Sequence, residues 1–330
     1  MSKGLSKISK VLSGITVCAL CSYPVQANDG LPNPLTLSQA LDYAPQHPRL
    51  KLESNEQHFA FDIPPLYLNC HAIAANQLEH PAQQPDNILS PLIAPEVQQQ
   101  LIILQRFYDV LLADLTFIAT NEKMASAFIR VDRAKIRNEL KQISEVEVAR
   151  LETEYQNIRQ EYFATENMQR LTRSWLSESI NQLKLPSDLQ PPTLVRFPRQ
   201  APDYQALLND TKQNTYLNDL SKKSSKAAKA QLNSRLRQEI LGLLLRGQML
   251  RFAKQAIDAD SYQRDLNLER SRTLYEQEVK ADLGNSMVMQ SFTNMYEKRI
   301  DYCLSLTWAQ INALRGKPLF TKPEPKKPEE

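Results

Sequence analysis

The sequence predicts a mainly α fold, made of two tandem long antiparallel helical hairpins with little or no β structure. Proline is absent from residues 96 to 185 and again from 203 to 317, and no glycine lies between residues 31 and 241. A sheet needs frequent turns, and turns need these two residue types, so blocks of this length favour long helices. A third observation, given below, is that the second block repeats features of the first.

Apolar residues in both blocks follow the three- and four-residue steps of an amphipathic helix. The first set is Leu101, Leu104, Tyr108, Leu111, Leu112 and Leu115, and the second is Leu236, Ile240, Leu243, Leu244, Leu250 and Ile257. Helices of roughly 40 to 60 residues are about 60 to 90 Å long. One such helix cannot bury its apolar stripe alone, so we expect coiled-coil pairing within the chain or with other copies.

Proline placement suggests an order of segments along the chain. Prolines recur between Pro32 and Pro95 and return between Pro186 and Pro202, and the end of the chain is rich in Lys, Pro and Glu. Tails of that composition are typically disordered. The predicted segments are a signal peptide (1–27), a short helix with a proline-rich loop (28–95), a first hairpin (96–185), a proline-rich linker (186–202), a second hairpin (203–317) and a disordered tail (318–330).

The first 27 residues have the pattern of a secretory signal peptide. A basic start, an apolar core and a small-residue cleavage site follow one another at Lys3 to Lys10, Val11 to Leu20 and Val25 to Ala27. The apolar core is too short to span a bilayer. Lipidation at Cys18 or Cys21 remains an alternative. We therefore expect export and a location in the bacterial envelope.

The charge balance argues against a nucleic-acid partner. The whole chain has 40 basic and 37 acidic residues, and the predicted signal peptide accounts for three lysines and no acid. The remainder is therefore neutral, whereas proteins that bind nucleic acids normally carry a basic excess. No run of 18 apolar residues occurs later in the sequence, so we expect no transmembrane helix.

The two halves of the chain resemble each other. ISEVEV (143–148) aligns with LGNSMV (283–288), and at nearly the same offset Arg133 aligns with Arg272 and Glu139 with Glu278. A looser match joins LTLSQALDYAPQHPRL at 35–50 to APDYQALLNDTKQNTYL at 201–217. This internal repeat predicts two halves, each a short helix followed by a long hairpin.

The repeated segments are predicted to lie where long helices reverse direction. Gly284 suits a reversal because glycine adopts the left-handed backbone conformation. Asn285 and Ser286 are expected to cap the returning helix. In the first half, Ile143–Ser144 occupies the reversal and Ser144 has capping-box spacing to Glu147. A kink in one continuous helix is the alternative.

At these residues the chain resembles the TolC-like outer-membrane efflux protein family. LTLSQALDYAPQHPRL is similar to that family's opening helix. The segment from DVLLADLTFIATNEKM to ISEVEV is similar to its first long hairpin, and YEQEVKADLGNSMV to LSLTWAQINALRG is similar to its last. Two motif sets in the same order make the resemblance more specific than either one.

The resemblance implies a trimeric efflux or secretion conduit that transports without catalysing a reaction. It also implies a location in the outer membrane or periplasm of a Gram-negative bacterium. Its hairpins would form a periplasmic tunnel, and its partners would be further copies or an efflux adaptor with an inner-membrane pump. In the family, the hairpin tips form the entrance and meet the adaptor. The tip residues carried over by motif are Lys141, Ile143, Ser144, Glu145, Glu147 and Val148 in the first hairpin, and Asp282, Leu283, Gly284, Asn285, Ser286 and Val288 in the second.

The chain departs from the family pattern at both tips. Lys141 stands near the usual glycine, and Met287 replaces the acidic residue that Glu147 keeps in the first hairpin. Glu145, Glu147 and Asp282 could still line an entrance, where a ring of carboxylates favours cations. Solvated charges at helix ends are the alternative.

The segments where the family has membrane strands also differ. Residues 217–235 are too polar and too helical for a strand, and residues 51–95 offer only HFAFDI (58–63) as an alternating stretch. The sequence thus lacks most of the expected barrel strands. The alternative function is a barrel-less periplasmic helical scaffold, derived from the family, that binds other envelope proteins.

No other motif predicts chemistry. His71, beside Cys70 and nine residues before His80, matches no standard metal-site spacing. Neither a Ser-His-Asp set nor a phosphate loop nor a carboxylate pair stands in a credible setting. We therefore expect no enzyme activity, cofactor or metal. Cys70 and Cys303 could pair after export, but two distant cysteines could equally remain unpaired.

Overall fold

The computed structural model describes residues 31–52, 65–75, 89, 91–184, 186–200, 202–277 and 283–320. The predicted signal peptide, HFAFDI (58–63), His80, Asp282 and residues 321–330 of the predicted tail lie outside the described residues.

Long helices dominate the described chain and confirm the predicted fold class. The helices are α1 (Leu37–Asp42), α2 (Cys70–Ala74), α3 (Pro95–Glu139), α4 (Glu145–Ser179), α5 (Tyr204–Thr211), α6 (Thr215–Lys223), α7 (Lys226–Glu276) and α8 (Leu283–Leu314). Two 3₁₀ turns, Ala44–Gln46 and Pro48–Lys51, follow α1. Strands β1 (Leu35–Thr36) and β2 (Leu189–Gln190) form one short parallel pair.

The first hairpin begins and ends at residues suited to helix termini. Pro95 occupies the first turn of α3, where its missing N–H leaves no hydrogen bond unmade, and Glu96 places a negative charge there. The 45 residues of α3 and the 35 of α4 contain no further proline or glycine. At the end of α4, Asn181 takes a positive φ of 53° and closes the helix.

The second long hairpin starts later than residue 203. Residues 203–223 form two short helices, and α7 begins only at Lys226. Three side chains explain these breaks, since each accepts a backbone N–H at a helix start: Asp203 for α5, Asn214 for α6 and Ser225 for α7. Such residues favour caps over helix interiors. As the polarity predicts, residues 217–235 are almost wholly helical.

The four long helices lie side by side in the order α4, α3, α8, α7. Arg173 of α4 pairs with Asp114 of α3 at 2.8 Å. The Tyr108 hydroxyl of α3 lies 2.9 Å from Ser305 Oγ of α8. Lys254 of α7 pairs with Glu297 of α8 at 2.8 Å. Each hairpin therefore packs on itself, and α3 packs on α8 to join the two.

The core lies at the end of this layer opposite the helix reversals, which we call the head; the other end is the tip end. The rings of Tyr108 and Tyr302 stack there with centroids 4.6 Å apart. Around them the side chains of Ile103, Phe107 and Leu112 are fully buried. The periodic apolar residues of the sequence, from Leu101 to Leu112 and from Ile240 to Leu250, belong to this core.

A short segment, residues 65–75, crosses the head and is attached to the layer at two points. Cys70 of α2 forms a disulfide with Cys303 of α8, with Cα atoms 5.3 Å apart. The buried carboxylate of Asp109 accepts the backbone N–H groups of residues 66, 67 and 68 at 2.9 to 3.0 Å. The disulfide was only one of two possibilities in the sequence, and the Asp109 anchor was not predicted.

The first hairpin projects beyond the start of α8 at the tip end. A Cβ on Gly284, in the first turn of α8, would lie 2.9 Å from Ser126 Oγ of α3. From Ser126, α3 continues to Glu139, roughly 20 Å at 1.5 Å per residue. Over this distance α4 accompanies it through the pairs Arg130–Glu154 and Lys135–Glu152 at 2.8 and 2.9 Å.

Candidate functional site

Lys141 makes the turn at the tip of the first hairpin. Its φ of 55° lies in the left-handed region that usually selects glycine. The N–H of Lys141 donates to the carbonyl of Asn138, and the N–H of Gln142 donates to that of Arg137, both at 2.8 Å. This pair of bonds is the Schellman arrangement, which satisfies the last carbonyls of a helix. A lysine therefore occupies a left-handed position of the kind that usually holds a glycine.

Ser144 caps α4 as predicted, but the capping box is incomplete. Its Oγ accepts the backbone N–H of Glu147 at 3.3 Å. The Glu147 carboxylate accepts instead from Arg150 Nε and Nη2 at 3.0 and 2.8 Å. These hydrogen bonds from Arg150 lower the pKa of Glu147 below its ordinary value. Glu145 lies in the first turn, where a negative charge favours the helix dipole.

Apolar side chains are exposed at this tip. Leu140 is 63% exposed and Val146 is 79% exposed, on either side of the reversal. Ile143 and Val148 are half-buried, and the Asn138 side chain donates to the Ile143 carbonyl at 3.0 Å. A rigid turn thus presents two aliphatic side chains next to the charge of Lys141.

The residues predicted to form the second reversal lie in a helix instead. Gly284, Asn285 and Ser286 lie inside α8, which begins at Leu283, so they neither turn the chain nor cap the helix. Gly284 is not in the left-handed region; its lack of a side chain instead allows α8 to approach Ser126. Ser286 Oγ lies 2.8 Å from Ser271 Oγ of α7.

Two further predicted tip residues fall at the second reversal. Val288 is buried, so it is not available to a partner in this conformation. Asp282 lies outside the described residues. A ring of entrance carboxylates, involving Glu145, Glu147 and Asp282, stays a prediction, and Glu147 already has Arg150 as its counter-charge.

A row of exposed apolar side chains runs along the outer face of α7. We call it the α7 stripe; its members are Leu241, Leu245, Met249, Phe252, Tyr262 and Leu266. Phe252 is 71% exposed and Tyr262 is 67% exposed. The steps of three or four residues, or of ten, place them all on one side of the helix. The buried Leu243 and Leu250 of α7 lie on the opposite side, and the buried Leu244 lies at the edge between the two sides.

The α7 stripe was not predicted from the sequence, because the predicted apolar periodicity covers only one face of this helix. The second face was present as a signal: LGLLLRGQMLRF (241–252) has apolar residues around most of the helix. A helix that is apolar on two faces needs two partners. Among the described elements, only α8 lies against α7 along most of its length.

No residue set suited to metal binding is found in the described part of the chain. Cys70 is in a disulfide, and His71 Nε2 lies 3.0 Å from Arg246 Nη1. Among the described helices, none is both long and apolar enough to cross a membrane.

Three outer membrane proteins of known structure are similar to this chain at low identity. No protein-family model matches the sequence, and no curated protein matches it at a significant level. Among solved structures, the chain is similar to the Campylobacter jejuni CmeC outer membrane channel, with a TM-score of 0.47 and 11% identity over 67% of this chain and 63% of that one.

Two further solved structures are similar at comparable levels. The Vibrio cholerae outer membrane protein VceC has a TM-score of 0.44 and 12% identity, over 86% of this chain and 97% of that one. The Neisseria gonorrhoeae MtrE outer membrane channel, in its open state, has a TM-score of 0.40 and 14% identity, over 68% and 69%. The chain covers 63% of CmeC, which is less than two thirds of that protein's length.

Proposed function

We propose that this chain is a subunit of a TolC-like efflux or secretion conduit of the Gram-negative envelope. In this proposal its helical hairpins assemble side by side with other subunits, and its tips meet an efflux adaptor and, through it, an inner-membrane pump. The chain transports rather than catalyses. Its partner contacts are the tip residues from Lys141 to Val148 and those from Asp282 to Ser286, without the buried Val288.

The observation that carries the proposal is the α7 stripe. Burial of apolar surface contributes about 25 cal/mol per Å², so a stripe of six large side chains left in water forgoes several kcal/mol. Monomeric soluble proteins rarely expose apolar patches larger than a few hundred Å². The stripe extends from Leu241 to Leu266, roughly 38 Å along the helix. A surface of this shape fits the long side of another helix.

Subunit mass in solution tests the lateral assembly. We expect the purified protein, without its signal peptide and in mild detergent, to elute as an oligomer whose mass is a multiple of the chain's. Phe252→Glu places a charge in the middle of the α7 stripe and should shift the protein to monomers. Tyr275→Glu is the matched control, because Tyr275 is 63% exposed on the same helix but lies off the stripe.

The two variants separate assembly from folding. Both should retain the helical circular dichroism of the parent protein, since both side chains are exposed. If Phe252→Glu leaves the mass unchanged, or if the parent is itself monomeric, the α7 stripe is not an assembly surface and the conduit proposal loses its support.

A second candidate function, the periplasmic helical scaffold, is favoured by the exposed Leu140 and Val146 at the first tip. It predicts that Leu140→Glu with Val146→Glu abolishes pull-down of an envelope partner while the helices remain folded. The conduit predicts instead that the protein stays in the outer membrane after a carbonate wash. Release by that wash, with partner binding retained, favours the scaffold over the conduit.

A further inference from the structure

A cavity of about 300 Å³ lies at the head, where the short helix α2 meets α7 and α8. Its apolar walls are formed by Ile73, Ala253, Ala256, Ile257 and Ile300. Three polar side chains, Asp260, Tyr296 and Arg299, complete the lining. This volume is at the lower end of the range for small-molecule pockets, about 300 to 1,000 Å³. Apolar walls with a few polar groups are the usual composition of such pockets.

One hydrogen bond positions the Arg299 guanidinium, and its other N–H groups remain available to a ligand. Its Nε donates to the Tyr67 carbonyl of the segment that crosses the head, at 2.5 Å. Within the described residues, no carboxylate forms an ion pair with Arg299, and no acceptor takes a hydrogen bond from its terminal nitrogens. Burial lowers the pKa of Arg299, and the nearby Asp109 opposes that effect. Arginine nevertheless remains protonated in proteins.

The two nearby carboxylates are already satisfied by other groups. Asp260 Oδ2 accepts from Thr293 Oγ1 at 3.0 Å, and its Oδ1 lies 3.3 Å from Arg264 Nε. Asp109 accepts three backbone N–H groups and lies 3.9 Å from Arg106. The charge that is left facing the cavity is therefore the positive charge of Arg299.

We propose that this cavity binds a small organic anion, with an apolar body between α7 and α8 and one carboxylate or similar group on Arg299. A guanidinium presents two parallel N–H donors that match the two oxygens of a carboxylate. A cation would be repelled by Arg299, and a neutral apolar molecule would cover the guanidinium without replacing its water. The site is independent of the proposed conduit, since it needs neither the tips nor the α7 stripe.

Calorimetric titration with three probes that share one chain length tests the charge requirement. The protein without its signal peptide is titrated with octanoate, with 1-octanol and with octyltrimethylammonium, each below its aggregation concentration. A hydrogen-bonded charge contributes about 1.5 to 3 kcal/mol, so octanoate should bind at least about tenfold more tightly than the alcohol. The ammonium probe should not bind.

Matched substitutions on α7 test the location. Ala256→Phe fills the cavity from an exposed position and should abolish octanoate binding. Ala259→Phe changes an exposed alanine of the same helix that does not line the cavity and should leave binding unchanged. Arg299→Gln should reduce the preference for octanoate over octanol to about twofold or less.

Each result decides the proposal. Loss of octanoate binding in Ala256→Phe alone supports the site, and the effect of Arg299→Gln on the octanoate preference supports the role of the charge. Equal binding of octanoate and octanol by the parent protein overturns the anion preference. Octanoate binding that survives Ala256→Phe, or that fails to occur at all, overturns the site.

Discussion

The head and the tip end of the layer are built from the same helices but are held together by different interactions. At the head, α3 is surrounded: Phe107 and Leu112 are fully buried, and the Tyr108 ring stacks on Tyr302. Toward the tip, α4 is the only described helix beside α3, and Ile129, Ile136 and Leu140 are about half exposed or more. Ion pairs add to a thinner apolar contact there, in which Val131 is buried.

This difference shows that a long helix need not be stabilised evenly along its length. Burial at the head contributes several kcal/mol for each large side chain, whereas an exposed ion pair contributes about 1 kcal/mol or less. The tip therefore persists because it continues helices that the head has already fixed. Propagating a helix costs far less than starting one.

Matched phenylalanine substitutions should show the largest contrast between the two ends. Phe107→Ala removes a fully buried ring at the head and should lower the free energy of unfolding by about 3 to 5 kcal/mol. Phe128→Ala removes a ring that is half exposed near the tip, 5.8 Å from the Tyr155 ring, and should cost about 0.5 to 1 kcal/mol. Urea unfolding followed by circular dichroism measures both, and equal losses would contradict the comparison.

Removal of the disulfide should have the next largest effect. The Cys70→Ala, Cys303→Ala double variant loses the link between α2 and α8 and should be less stable by about 2 to 4 kcal/mol. Thermal unfolding with and without dithiothreitol measures this. The reductant should lower the Tm of the parent protein but not that of the double variant, and a parent insensitive to full reduction would argue against a stabilising link.

Lys141→Gly should stabilise the tip slightly. A left-handed backbone costs an ordinary residue about 1 to 2 kcal/mol, and the greater freedom of glycine in the unfolded chain offsets part of that gain. We expect a net increase of about 0.5 to 1 kcal/mol, seen as slower amide exchange between Asn138 and Ser144. Lys141→Ala removes the same side chain without freeing the backbone and should have little effect. A larger gain for alanine than for glycine would mean that the lysine charge, not φ, is unfavourable.

Ion pairs at the tip should have the smallest effect. A double-mutant cycle on Lys135 and Glu152 should give an interaction energy of about 0.2 to 1 kcal/mol, because both side chains are more than a third exposed. High salt should reduce it further. An interaction energy near that of a buried pair would contradict this prediction. It would mean that the pair is shielded from water by something besides α3 and α4, as it would be if other subunits packed against the tip.

The features that follow from local periodicity and proline placement could be predicted from the sequence. The long helices and their buried residues, from Leu101 to Leu112, are of this kind. The role of Gly284 could not be predicted in this way. Gly284 matched a turn glycine, but its small size serves a close approach to Ser126, a residue 158 positions earlier in the sequence. A glycine in a sequence does not indicate whether backbone freedom or space is needed.

The same distinction between local and long-range contacts applies to the candidate sites. The cap at Ser144 could be predicted because it depends on residues within one turn. The Asp109 anchor could not, since it depends on N–H groups more than 40 residues away in the sequence. The cavity beside Arg299 is formed by three helices, so its lining residues are adjacent only after the chain has folded.

The projection of the first hairpin past Gly284 has a mechanical consequence. Among the described residues, α3 and α4 alone continue past the start of α8 and the end of α7 at Glu276. There the layer is two helices wide instead of four, so it resists bending less, as a narrow beam fixed at one end does. A sideways force on Leu140 or Val146 acts at the free end of this beam, about 20 Å from its support. Deflection should therefore concentrate in the last turns of α3 and the first turns of α4. The four-helix part behind them can stay rigid while the end moves.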